Sequence, residues 1–245
     1  MFRFLLTRRW ILFGLFVVVM GVACWRLGSW QFDRLEERRT DNAIIEQNLR
    51  ADAVPAHRVM SAGHPLPEQQ QWRRVTLTGT YDRAHETLVR YQTRDGRPGV
   101  LVLTPLRTVQ DTTVLVDRGW MGVTNDPTAP VDPPDPATGQ VTVTGWAQPD
   151  QSGEPDEIRP LDGEVRLVSS RGFTDLTAQP LLQGYVSARS ETPAPARSLI
   201  TTEPPVLDSG PHFFYGLQWW FFGLLAMGGF GYFAYVESRD RRRTG

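Results

Sequence analysis

The stretch GPHFFYGLQWW, Gly210–Trp220, sets a histidine, a tyrosine and a glutamine at the head of an apolar run. Polar groups at the edge of hydrocarbon are expensive, so the cluster marks a functional candidate. Pro211 suits a first helical turn and puts His212 at the N-terminus of the second apolar segment. The positive end of a helix favours the uncharged imidazole, and a neutral imidazole nitrogen binds metal. Tyr215 and Trp219 follow at i+3 and i+7 on the same helix face, with Gln218 about 120° away around it. A histidine flanked by flat aromatics is a wall for a planar cofactor such as haem. The same residues also serve as interfacial anchors that hydrogen-bond headgroups and water. Spacing and composition leave both readings open.

Little else in the chain offers chemistry. His57, His64 and His85 sit singly in loops or strand edges, at spacings that match no metal signature. There is no GxSxG, no Walker loop and no GxGxxG opening a helix, so no enzyme activity is expected. Glu36 and Glu37 lie in a charge-dense helical stretch and read as a solvated face. A single cysteine, Cys24, excludes an intrachain disulfide, a CxxC redox pair and a thiolate metal cage. It reads as a small apolar filler. The formal net charge of -1 gives no case for a nucleic-acid partner.

Two apolar segments position the candidate cluster. Phe213–Val236 carries no charge and is long enough to cross a bilayer core of about 30 Å. Trp10–Trp25 is also uncharged; Arg26 can snorkel at a helix end, which extends the span to Gly28. Trp10, Trp25 and Trp30 suit interfacial belts. No small-x-small site with a polar flank follows the first run, against a cleaved signal peptide. Gly21-Val22-Ala23-Cys24 has glycine where a lipoprotein box wants leucine. Arg3, Arg8 and Arg9 precede the first span, and Arg239 and Arg241–Arg243 follow the second. The positive-inside rule then places both termini in the cytoplasm and the acidic centre of the chain outside. All 26 basic residues are arginine, which reads as the mark of a GC-rich, bacterial genome.

Between the spans the pattern changes twice. WQFDRLEERRTDNAIIEQNLRAD lacks Pro and Gly and reads as a juxtamembrane helix continuing from the bilayer. From Trp72 the period becomes two. Val75, Leu77 and Tyr81 alternate with Arg74, Thr76, Thr78 and Thr80, as in a strand. TLVRYQT, GVLVLTPL, TTVLVDRGW, VTVTGW and LLQGYVS predict further strands, and RDGRPG between two of them predicts a hairpin. In VLVDRGW, Arg118 is expected on the face of Val114 and Val116, either paired with an acid or reaching a partner. NDPTAPVDPPDPATG is a proline-rich loop. All 19 prolines fall between Pro55 and Pro211.

The expected fold class is therefore an α+β membrane protein, with two transmembrane helices flanking a mostly antiparallel, small barrel-like extracytoplasmic domain. Its segments are a cytoplasmic N-terminus (1–9), a first span (10–28), a juxtamembrane helix and linker (29–71), the β-rich domain (72–211), a second span (212–236) and a cytoplasmic tail (237–245). Localisation in a bacterial cell membrane follows.

LGSWQFDRL, RRVTLTGTY, GVLVLTPL, VLVDRGW and HFFYGLQWW occur in that order within a two-span frame. Together they resemble the Surfeit locus protein 1 family, assembly factors of haem-copper cytochrome c oxidase. The resemblance implies biogenesis of the oxidase catalytic subunit, with haem a bound for insertion. It implies His212 as axial ligand, with Tyr215 and Trp219 beside it, and Gln218 within the same motif. Gly28, Trp30, Gln31 and Arg34 match a second family signature, and Arg118, Gly119 and Trp120 its RGW turn. Arg26 and Arg34, leaving the first span at the same membrane face, are candidates to pair with haem propionates, or are snorkelling and surface residues. Partners implied are the catalytic subunit, other respiratory-complex subunits and membrane lipids. A permanent accessory subunit, stabilising the oxidase or a supercomplex without haem, is the alternative. Gly210-Pro211 stands where the family often has Asn, and the stretches 125–139 and 150–163 look particular to this branch.

Overall fold

The computed structural model describes residues 3–124 and 131–243. They form two compact units, one of Met1–Ala43 with Leu207–Gly245 and one of Ile44–Val206. Of the proline-rich stretch 125–139, residues 125–130 lie outside the described residues. The helices are α1 (Arg8–Arg50), α2 (Pro155–Ile158) and α3 (His212–Arg243). The strands are β1 (Val54–Pro55), β2 (Arg74–Tyr81), β3 (Thr87–Arg94), β4 (Arg97–Thr108), β5 (Thr113–Gly122), β6 (Val141–Gln148), β7 (Glu164–Val165) and β8 (Leu181–Thr192).

The first unit is the pair α1 and α3. Helix α1 runs unbroken through Gly28 into the charge-rich stretch after it. Its buried residues, Val17, Cys24, Gly28 and Leu35, recur at spacings of seven and four and make one narrow seam. Most remaining apolar side chains face outward, among them Leu12, Leu15, Val18, Val22, Phe214, Leu224 and Leu225. An apolar surface of that extent suits hydrocarbon rather than water. Both helices are long and apolar enough to cross a membrane.

The second unit is one eight-stranded sheet. β2 pairs with β6 and β4, β6 with β8, β8 with β5, and β5 with β4, so five strands are hydrogen-bonded in a closed circuit. Alternation decides what faces inward: β2 buries Val75, Leu77 and Tyr81 and leaves Arg74 and Thr80 exposed. These side chains cluster with Leu106, Val114, Val116, Val141, Val143 and Val186. A second core, with Val89, Leu103, Leu115, Val165, Val168 and Phe173, lies under the stretch that carries α2 and β7. Residues 150–163, the second stretch particular to this branch, contain α2, whose N-terminus carries a capping box between Glu154 and Glu157.

The sheet is mainly antiparallel, but β1–β2, β3–β7 and β5–β8 are parallel. β8 enters beside β5 only after the chain has made β6 and the covering stretch, and that long connection allows the parallel register. The β3–β4 hairpin turns on Asp95-Gly96, both at positive φ (49° and 72°), as a two-residue turn matched to strand twist requires.

Candidate functional site

His212 is the first residue of α3, and four features of the helix-pair unit set its position. Asn42 on α1 donates to the Asp208 carbonyl at 2.8 Å. Arg38, one turn earlier, lies 3.6 Å from the Asp208 carboxylate. Asp208 in turn accepts from the Gly210 amide at 3.1 Å. Gly210, at φ +63°, reverses the chain beside the imidazole. The His212 ring then meets Gln31 of α1, with Nδ1 2.8 Å from Oε1. An amide oxygen only accepts, so Nδ1 carries the proton, and in the neutral ring Nε2 keeps its lone pair. A hydrogen bond of this kind fixes the orientation of the ring.

One turn further into the apolar region the helices touch through glycine. A Cβ on Gly28 would lie 2.2 Å from the Trp220 ring, and one on Gly216 2.7 Å from Phe32. Trp220 stacks on Trp25 with centroids 5.1 Å apart and planes 9° from parallel, and tilts against Phe32 at 4.7 Å. Its Nε1 donates to the Trp25 carbonyl at 3.4 Å. The indole in the seam is thus Trp220, whereas helical spacing alone singles out Trp219. Gly28 and Gln31, three apart on α1, face Trp220 and His212, eight apart on α3.

The other candidates are distributed as follows. Tyr215 is 48% exposed, and Gln218 is exposed as well. Trp219 is partly buried and lines an apolar groove with Met20, Cys24 and Phe222. Trp30 is exposed. Arg26 is exposed and makes no ion pair with a described residue. Arg34 is bound to Glu37 on its own helix at 2.6 Å, both side chains being exposed. The geometry therefore joins His212 to Gln31, and Gly28 to Trp220. It sets Trp219 on the groove wall and leaves Arg26, of the two candidate arginines, without a carboxylate partner among the described residues.

Arg118, Gly119 and Trp120 belong to the other unit. They are the bulged end of β5 rather than a turn: Val102 pairs with Gly119 and Leu103 with Asp117, so Arg118 is the extra residue. Its guanidinium is buried, with Nη1 2.9 Å from Glu86 Oε2 and Nη2 donating to the Pro134 carbonyl at 2.9 Å. It lies over the Tyr81 ring at 5.6 Å, beside the Val114 and Val116 cluster. Thr104 also donates to Glu86, at 2.8 Å. Tyr81 donates to Glu191 at 3.0 Å. Burial pushes the Tyr81 hydroxyl well above its ordinary range, with Glu191 adding to the rise, and burial raises Glu191 itself.

Gly119 sits at φ +133°, where a Cβ would lie 2.8 Å from the Ile200 carbonyl oxygen. That approach lets the Trp120 amide donate to Ile200 at 2.7 Å. Trp120 Nε1 donates to the Gln92 carbonyl, and its ring fills the space over Gly99. Asp117 stands in plain view in VLVDRGW, yet its residue type and spacing alone do not mark it as a candidate. It is buried and accepts from Thr202 at 2.8 Å and the Gly119 amide at 3.0 Å. Burial raises its carboxyl despite these donors. Among the described residues no group of three or more His, Cys, Asp or Glu could hold a metal ion.

Residues 18–224 match the family model of the SURF1 family. An uncharacterized SURF1-like protein of Mycobacterium bovis is 32% identical over 244 residues, 98% of this chain and 89% of its own. A SURF1-like protein of Rickettsia bellii is 30% identical over 108 residues, 40% of this chain and 39% of its own. The cytochrome oxidase assembly protein SHY1 of Saccharomyces cerevisiae is 29% identical over 114 residues, 45% of this chain and 28% of its own.

Two consequences are measurable. Nitrogen-15 NMR of histidine-labelled full-length protein should show His212 protonated at Nδ1 alone. In Gln31→Leu the two neutral tautomers should mix, because the acceptor that selects one is gone; an unchanged spectrum would remove Gln31 from this role. Arg118→Ala should destabilise the β-rich unit by about 3 kcal/mol, since Glu86, only 11% exposed, loses its cation and keeps Thr104 alone. Adding Glu86→Gln should recover a large part of the loss in melting temperature.

Proposed function

The chain belongs to the SURF1 family, and on that premise we propose that it is an assembly factor for haem-copper cytochrome c oxidase, binding haem a through His212 and assisting its delivery to the catalytic subunit. The observation that carries the reading is the Gln31–His212 hydrogen bond at the head of the helix pair. It leaves a neutral Nε2 with its lone pair, which is the donor that haem iron takes as an axial ligand. The donor set fits the group. Tyr215 offers an exposed ring one turn along α3 for contact with the macrocycle, and Trp219 closes the apolar side. Arg26 is the better propionate partner, because Arg34 would first have to leave Glu37. The bound group would supply the redox-active iron; this chain's part is to hold it, orient it and limit its contact with water. No covalent step is assigned to the protein.

A permanent accessory subunit of the oxidase or of a respiratory supercomplex, without haem, is the second reading. Gly228 and Gly231 favour it: a Cβ at either meets no atom within 4 Å, so the outward face of α3 is smooth enough for another helix. The partners on either reading are oxidase subunits and membrane lipids. Both termini are assigned to the cytoplasm and the β-rich unit to the outer face of a bacterial cell membrane, on the arginine asymmetry of the two ends.

The absorption spectrum of protein purified with co-expressed haem a synthesis tests the first reading. His212→Ala should lose the haem bands while the protein still inserts and folds, and added imidazole should restore them. Full haem binding in well-folded His212→Ala would remove the ligand role and favour the accessory subunit. For topology, a reporter active only outside the membrane and fused after Gly245 should be silent; activity there would invert the arrangement.

A further inference from the structure

We propose that the helix pair holds one anionic phospholipid at its arginine-rich end, with the phosphate on Arg9 and an acyl chain laid in the groove between α1 and α3. The groove is built from two adjoining cavities. One, of about 500 Å³, is lined by apolar side chains that include Phe16, Val17, Met20, Leu225 and Ala226. The other, of about 430 Å³, lies between Arg9, Trp10, Val236 and Glu237. Phe13 and Phe233 line both, so the two adjoin across this pair of rings. Each has the volume of an ordinary ligand pocket, about 300–1,000 Å³.

The groove keeps its width for structural reasons. Trp10, Phe13 and Phe230 pack edge to face or tilted, with centroids 5.3–6.0 Å apart, and make one firm wall. Gly229 lines the floor, and a Cβ added there meets no atom within 4 Å. A flexible apolar chain fills such a trough, whereas a second helix lies on top of it.

Charge selects the head. The trough is apolar along its length and charged only at the end that holds Arg9 and Glu237. Glu237 is already held by Arg241 Nε at 2.8 Å on its own helix. Arg9 is exposed and makes no ion pair with a described residue, and Arg8 and Arg239 are exposed at the same end. Guanidinium binds phosphate oxygens in pairs, and basic residues at a membrane surface attract anionic lipid. A free phosphate would satisfy the arginines and leave the groove empty. A zwitterionic lipid would fill the groove and gain little from the arginines. The anionic phospholipid meets both demands, and this holds whether or not the other end of the helix pair binds haem.

Native mass spectrometry of the full chain in mild detergent, with phosphatidylglycerol and phosphatidylcholine supplied in equal amounts, tests the assignment. One phosphatidylglycerol adduct should be retained, at least about tenfold over phosphatidylcholine, and millimolar inorganic phosphate should not displace it. The double variant Arg8→Gln/Arg9→Gln should weaken retention about fivefold for each arginine removed. Gly229→Leu should abolish it by filling the groove while the arginines stay in place. Equal retention of the two lipids, or undiminished preference in the arginine variant, would overturn the proposal, as would displacement by phosphate alone. If Gly229→Leu fails to fold, the wild-type preference and the arginine variant, which alters only exposed side chains, still decide.

Discussion

Where α1 passes α3, a Cβ on Gly28 would lie 2.2 Å from the Trp220 ring, so the indole occupies volume that any other residue would claim. That approach sets the spacing of the pair. In a bilayer there is no hydrophobic gain from helix contact, and association rests on close packing and hydrogen bonds. Trp220 supplies both: it stacks on Trp25, tilts on Phe32 and donates to a main-chain carbonyl of α1. Cys24 against Gly223, at 3.2 Å from a Cβ there, repeats the small-residue approach further along α3. With the axes held close at Gly28, the next turn of α1 brings Gln31 within 2.8 Å of His212. A bulkier residue at position 28 would push the helices apart, and the Gln31–His212 hydrogen bond beyond it would be the first to break.

The β-rich unit meets a different constraint, an acidic and a basic side chain buried next to each other in sequence at the end of β5. Asp117 and Arg118 do not pair with each other. The bulge at Arg118 turns them to different partners: Asp117 to Thr202 and the Gly119 amide, Arg118 to Glu86 and the Pro134 carbonyl. Each side chain thus ties down a separate stretch of irregular chain, residue 202 in one case and residue 134 in the other. Satisfaction is incomplete, because Arg118 Nε and Glu191 Oε2 are buried without a hydrogen-bond partner among the described residues. Such arrangements contribute little net stability compared with apolar packing, yet they are costly to break. Their effect here is to fix loops that apolar packing alone would leave undirected.

Strand positions are legible because their signal is local. Alternation in RVTLTGTY and the Asp95-Gly96 turn predict β2 and the β3–β4 hairpin without knowledge of any partner strand. The parallel pairing of β5 with β8 is not legible, since it depends on a connection whose path no local pattern encodes. The bulge at Arg118 is hidden for a similar reason: VLVDRGW reads as continuous alternation, and only the register with β4 reveals the extra residue. At the helix pair, residue types are informative and their partners are not. Helical spacing groups His212 with Tyr215 and Trp219, but the residue that touches the imidazole comes from a segment 181 positions away. Trp219 and Trp220 cannot be told apart by composition. The choice between them falls to Gly28, whose missing side chain has meaning only once α1 and α3 are in register.

The identity of residue 31 then acquires a chemical reason. A carboxylate at the same distance would also accept from Nδ1, but it would favour the imidazolium and so remove the lone pair from Nε2. It would also bring a charge to the edge of an apolar region, where desolvation is costly. With its oxygen turned toward Nδ1, as here, glutamine accepts without bringing a charge and so favours the Nδ1-protonated tautomer. Held at the head of α3 by Asn42 and Arg38 through Asp208, and by Gln31 through Nδ1, the imidazole is oriented from two sides before any ligand arrives. Preorganisation of that kind lowers the ordering cost the side chain itself would bear on binding any ligand.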